Sequence, residues 1–148
     1  MNMHEISVAQ SIVDIVLLEA EKNNAKTVNE INVDVGELMQ LDVQVLSDAL
    51  NLLTKGSKLD GAHIFMHVRE ASFSCRRCGA KWNMTDAKKE LEQVPDSLRI
   101  REPDSKELPL HFLPYIYSAF IHCPKCGSSD ANISDGAEDI RLRRLVME

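Results

Sequence analysis

The chain has 148 residues, 44% of them apolar, with 17 basic against 23 acidic side chains and a formal net charge of −6. That is enough for one compact core and a smaller module, but too little for two full enzyme domains, and it excludes collagen-like and coiled-coil rods. The acidic balance repels phosphate backbones over most of the surface and so disfavours nucleic acid as a partner.

From Ile6 to Leu18, apolar residues recur at Ile6, Ala9, Ile12, Val13, Val16 and Leu17, the spacing of a helix with one packed face. Glu19, Glu21, Lys22, Asn23 and Asn24 end it in polar residues. Val28, Ile31, Val33 and Val35 then mark a strand whose last three apolar positions alternate with Asn32, Asp34 and Gly36. Asp42 is the expected cap of a second helix carrying Val45, Leu46, Ala49, Leu50 and Leu53, stopped near Gly56. A second strand starts just past Gly61. It sets Ala62, Ile64, Met66 and Val68 on one face and His63, Phe65, His67 and Arg69 on the other. Ile140 and Leu142, then Leu145 and Met147, make a final strand whose slip from even to odd positions reads as a bulge.

The expected fold class is α+β: a small three-stranded mixed sheet packed with two helices, with an inserted zinc-ribbon-like domain. Residues 1–72 and 137–148 form the α/β platform and residues 73–136 the insertion. Within the insertion, Pro95, Pro103, Pro109 and a mixed-charge run from Asp86 to Glu92 predict a short helix at most, then an irregular connection.

The chain's four cysteines fall in two knuckles, Cys75-Arg-Arg-Cys78-Gly79 and Cys123-Pro-Lys-Cys126-Gly127, with 44 residues between them. Two C-x-x-C turns followed by glycine bring four thiolates toward one tetrahedral site. Zinc is favoured, while mononuclear iron in the same four-sulfur set and disulfide or redox use stay open. Arg76, Arg77, Lys81 and Lys125 offset thiolate charge. With no run of 18 apolar residues and no basic stretch leading into an apolar one at the start, neither a membrane span nor a secretory signal is expected, and the compartment is read as cytoplasmic and reducing.

His4 and Glu5 place an imidazole and a carboxylate where backbone amides are not yet committed to a helix. A nitrogen-rich set of that kind suits Ni(II) or Cu(II), although an ordinary polar helix start fits the same residues. His63 and His67 stand about 13 Å apart along one strand face, too far to share a metal. His111 and His122 flank an apolar stretch and read first as packing or solvent residues; His122 also adjoins Cys123. There is no Walker loop, no G-x-S-x-G turn and no dinucleotide fingerprint, so a self-sufficient enzyme is not expected.

Met3-His4-Glu5, Gly36-Glu37-Leu38, Leu59-Asp60-Gly61-Ala62, both knuckles with the wording Cys123-Pro-Lys-Cys126-Gly127-Ser128, and the closing strand after Gly136 occur in one order. Over nearly the whole chain that order resembles the HypA/HybF family of hydrogenase-maturation nickel metallochaperones, its archaeal members in particular. The resemblance implies a chaperone, not an enzyme, that holds Ni(II) as transient cargo. With a GTPase partner it would deliver that nickel to the large subunit of nickel–iron hydrogenase. It implies structural Zn(II) on Cys75, Cys78, Cys123 and Cys126, and nickel on the imidazole and amide of His4 with Glu5 as ligand or orienter. His111 is implied as a further nickel residue when the GTPase is bound, and a homodimer is admitted. Two departures stand out: Met1-Asn2 precede Met3, so Met3 supplies a terminal amine only in a chain that starts there, and the stretch between the knuckles is long. The alternative is a zinc-ribbon adaptor that mediates protein–protein contacts without nickel transfer; a rubredoxin-like electron carrier ranks below it.

Overall fold

The computed structural model describes residues 3–101, 106–108 and 114–148. Its elements in chain order are α1 (Met3–Lys22), β1 (Val28–Gly36), α2 (Val43–Leu53), β2 (His63–Arg69), β3 (Ser72–Cys75), β4 (Lys81–Asn83), α3 (Met84–Leu91), β5 (Ile100–Arg101), β6 (Lys106–Glu107), β7 (Ala131–Ile133) and β8 (Ile140–Met147). Short 3-10 segments connect some of them. The chain divides into two compact units. The first is Met1–Asp34, Leu41–His67 and Ile140–Glu148; the second is Val35–Gln40 and Val68–Asp139.

In the first unit α1 buries Ala9, Ile12, Val13 and Val16 of the expected stripe and leaves Ile6 and Leu17 half-buried; it also buries Ala20, because the helix runs on to Lys22. Ile31 and Val33 are buried along β1, as is Val35, where the strand passes into the second unit. α2 begins at Asp42, whose carboxylate accepts the Val45 N–H at 3.1 Å, and buries Leu46, Ala49 and Leu50. The turn that leads toward β2 is closed by Asp60, which accepts the Gly56 N–H at 3.0 Å, while Leu59 is fully buried. The sheet has the order β2-β1-β8, with β1 in the centre. Thr27 and Glu148 exchange N–H···O bonds at 3.0 and 3.2 Å, and Gly36 donates to Asp139 at 2.8 Å, so β8 runs antiparallel to β1.

The second unit contains an antiparallel sheet of order β4-β3-β7, with Phe73 opposite both Trp82 and Ile133. Phe73 and Trp82 stack at 5.3 Å between ring centroids. Around them Met84, Ala87, Leu91 and Ile121 complete a core. α3 starts at Asn83, whose side chain accepts the Asp86 N–H at 3.3 Å, and its buried residues fall at Met84, Ala87 and Leu91. β5 and β6 form a separate two-stranded ladder.

The α+β class stands, but the expectation of two helices on one three-stranded sheet is overturned. The described residues contain three α-helices, two three-stranded sheets and a two-stranded ladder. The third helix lies just ahead of Pro95, where a capped i, i+3, i+7 apolar stripe outweighs the prolines that follow. The second sheet consists of strands of three or four residues, too short for period-2 alternation to register.

Gly36-Glu37-Leu38 has a structural account within the second unit. A Cβ on residue 36 would lie 2.4 Å from the Ala137 carbonyl oxygen, so only glycine fits. Glu37 Oε1 accepts the Ala71 N–H at 2.9 Å, and Leu38 is fully buried. No helix among the described residues is long and apolar enough to cross a membrane.

Candidate metal centre

The two knuckles close on each other. Cys75 and Cys126 bring their sulfurs to 3.6 Å, Cys78 and Cys123 to 3.5 Å, and all four sulfurs lie within 4.8 Å of one another. A regular tetrahedron of 2.3 Å Zn–S bonds has edges of about 3.8 Å, so the cage is metal-sized, whereas a disulfide would need sulfurs about 2.05 Å apart. Among the described residues this is the one set of three or more His, Cys, Asp or Glu side chains that could share an ion.

Each knuckle folds by the same local rule. The N–H of the glycine after the second cysteine returns to the carbonyl of the first, Gly79 to Cys75 at 3.0 Å and Gly127 to Cys123 at 2.9 Å. Both glycines sit at φ near 77°, the left-handed region that glycine enters without steric cost. This turn aims amides at sulfur: the Lys125 and Cys126 N–H groups lie 3.4 and 3.5 Å from Cys123 Sγ.

The electrostatics divide within the cage. The Cys78 N–H, chief among several donors, outweighs burial and draws the Cys75 thiol down to about 6. Cys123 meets its largest influence in burial, which disfavours the thiolate, but the Cys126 and Lys125 amides prevail and its thiol is lowered. At Cys78 an N–H from Ala80 favours ionisation, yet burial and the neighbouring sulfurs push the thiol up to about 11. Local amides thus favour the thiolate at Cys75 and Cys123, while at Cys78 a cation among the sulfurs would offset what opposes ionisation.

The surroundings lock the knuckles together. Arg76 bonds Asp130 at 2.9 Å and Asn132 at 2.6 and 2.9 Å, which ties the first knuckle to the residues beyond the second. Glu90 on α3 accepts the His122 N–H at 2.9 Å through Oε2, and its Oε1 meets His122 Nδ1. Neither Glu90 nor Asp130 was legible as a partner in the sequence, because 32 and 54 residues separate them from His122 and Arg76.

His4 and Glu5 lie apart from this cage, in the first turn of α1. His4 is half-buried and lines a groove of ≈ 420 Å³. Glu5 is 2% exposed, its Oε1 accepting the Asp42 N–H at 3.1 Å, while its Oε2 is buried with no hydrogen-bond partner among the described residues. Asp42 is a residue that sequence reasoning assigned only to capping α2. His63 and His67 are exposed on β2, His63 stacked on Phe65 at 6.4 Å. His111 lies outside the described residues.

The four-sulfur cage in the second unit defines a two-unit α+β protein with a metal-binding centre. The chain belongs to the HypA family, described as hydrogenase/urease nickel incorporation metallochaperones, which matches residues 3–147. Members are metallochaperones and not catalytic enzymes, in agreement with the sequence reading. Relatives named hydrogenase maturation factor HypA are found in archaea. That of Pyrococcus horikoshii is 37% identical over 134 residues, 90% of this chain and 88% of the relative. That of Ignicoccus hospitalis is 32% identical over 139 residues, 92% and 91% of the two chains. The solution structure of the Ni metallochaperone HypA from Helicobacter pylori shares the fold, with a TM-score of 0.53 at 21% identity over 97% of this chain and 96% of that one. A second HypA solution structure gives 0.50 at 22% identity, covering 100% and 98%.

Proposed function

We propose that this chain carries Ni(II) at the start of α1, on His4 with Glu5 behind it, and holds Zn(II) permanently in the four-cysteine cage. The nickel is cargo. A GTPase partner and the hydrogenase large subunit are the proposed counterparts in its transfer, and the cytoplasm the proposed place.

The observation that carries the nickel site is the Glu5 side chain. A carboxylate that is almost wholly buried and has one backbone donor leaves an oxygen whose desolvation is uncompensated. It adjoins an imidazole at a helix N-terminus, so a cation or a donor oriented by one would offset that cost. Few, nitrogen-rich ligands near solvent suit Ni(II) that must leave again. Four convergent sulfurs, those of Cys75 and Cys123 on buried residues, suit Zn(II) that must stay, and the sulfur spacing accommodates it. Structural zinc supplies folding free energy to a unit whose own core is small.

Metal analysis by mass spectrometry after loading with both ions tests this reading. One zinc and one nickel per chain are expected. Zinc without nickel would instead support a zinc-ribbon adaptor, and iron with visible absorbance an electron carrier.

A further inference from the structure

We propose that the outer edge of β8, with the groove between it and α1, receives an extended acidic segment of a partner protein as an added strand. The inference does not rest on the nickel reading.

β8 is an edge strand: its one strand neighbour among the described residues is β1. An edge without a strand partner is a template for pairing. Beside it run two adjoining hollows of ≈ 420 and ≈ 430 Å³ that share Ile15 and Leu142. On the helix side the wall is the stripe His4, Val8, Ser11, Ile15 and Glu19, one face of α1 at near four-residue spacing. Those positions span about 22 Å, the length of about seven extended residues. Ile15 in the middle of the groove is 50% exposed. The groove thus has the length and apolar floor of a strand site, closed on one side by a helix and open to backbone pairing on the other.

Charge selects the occupant. The chain is acidic overall, yet β8 carries Arg141, Arg143 and Arg144, all exposed, and no acidic residue. Arg143 and Arg144 line the second hollow. Asp34 offsets Arg143 only loosely, at 3.9 Å with the arginine side chain still 58% exposed, and Glu19 pairs with Lys22 at 3.5 Å. Adjacent exposed arginines are also a known way to keep edge strands from pairing with their own kind. Protection of that sort accounts for the arginines but not for the apolar groove beside them. A second β8 would oppose arginines to arginines, which disfavours a second copy of this chain. An acidic strand meets the same side chains with opposite charge, and its apolar residues would cover Ile15 and Leu142.

The test uses the full zinc-loaded chain, 15N-labelled and without nickel. It is titrated with an acetylated ten-residue peptide of alternating glutamate and valine. Two controls are the same peptide with lysine for glutamate, and the acidic peptide with alternate amides N-methylated. The acidic peptide is expected to shift the amide resonances of Ile140–Met147, and both controls to bind at least about tenfold more weakly. In the double variant Arg143→Glu, Arg144→Glu the preference should reverse, with the lysine peptide now binding. Because that outcome is a gain of binding, a misfolded variant cannot imitate it. Three results would overturn the proposal: equal binding of acidic and basic peptides, shifts confined to other elements, or an unchanged preference in the double variant. A dimer of the unliganded chain paired through β8 would also overturn it, in favour of a second copy.

Discussion

Glu5 and Asp42 bind the starts of two helices to each other. The Glu5 carboxylate, at the first turn of α1, accepts the Asp42 N–H at 3.1 Å, and the Asp42 carboxylate in turn caps α2 through the Val45 N–H. One buried residue therefore ties the start of α1 to the start of α2, and its second oxygen meets no donor among the described residues.

Replacing Glu5 separates these two duties. Glu5→Gln keeps an acceptor for Asp42 but removes the charge, so the melting temperature should change little while nickel affinity falls by about 10- to 100-fold. Glu5→Ala leaves the Asp42 N–H without its acceptor and should also cost about 1–3 kcal/mol of stability. Calorimetry and nickel titration of both variants check this; equal nickel affinity in wild type and Glu5→Gln would remove Glu5 from the site.

Loss of one sulfur should act on the other unit. Cys126→Ser breaks the cage opposite Cys75, so zinc content per chain should drop well below one. Limited proteolysis should then cut within Val68–Asp139 first. Unchanged zinc and unchanged protection would show that the four sulfurs do not hold the ion.

Gly36→Ala places a methyl 2.4 Å from a backbone oxygen that cannot swing aside. Destabilisation of about 1–3 kcal/mol is expected in chemical denaturation. A neutral result would mean that the strand end at Gly36 and the segment at Ala137 separate at little cost.

Tyr117 makes the second unit sensitive to alkali. Its hydroxyl donates to the Ala131 carbonyl at 3.1 Å, and burial, reinforced by Glu138, raises its ionisation above the ordinary value of 10.0. The neutral phenol is the form the fold favours. Its contribution is therefore complete below pH 10.0 and is lost as pH rises through the raised value. Thermal unfolding of wild type should weaken more steeply above pH 10 than that of Tyr117→Phe; parallel curves would contradict this.

Much of the fold was legible because its signals are local. The α1 stripe, the β1 alternation, the Asp42 cap and the two knuckles each lie within a few residues of chain, where spacing maps directly onto geometry. The short helix expected between Asp86 and Glu92 is α3, Met84–Leu91, which adds a third helix to the two that pack the first sheet. The β4-β3-β7 sheet was hidden by strands shorter than one readable period. The site divides in the same way. Cys75, Cys78, Cys123 and Cys126 announce themselves by type and spacing. The pairs His122–Glu90, Arg76–Asp130 and Glu5–Asp42 join residues 32 to 54 positions apart, through backbone and side-chain contacts that no local pattern encodes.

The central claim is that nickel and zinc occupy separate places in one chain. Titration of the zinc-loaded protein and of His4→Ala with Ni(II), with zinc release followed in the same experiment, tests it most directly. The account predicts one tight nickel site in the wild type, loss of that site in His4→Ala, and no zinc released in either. Nickel binding that survives His4→Ala, or that proceeds by expelling zinc from the cysteine cage, would contradict it.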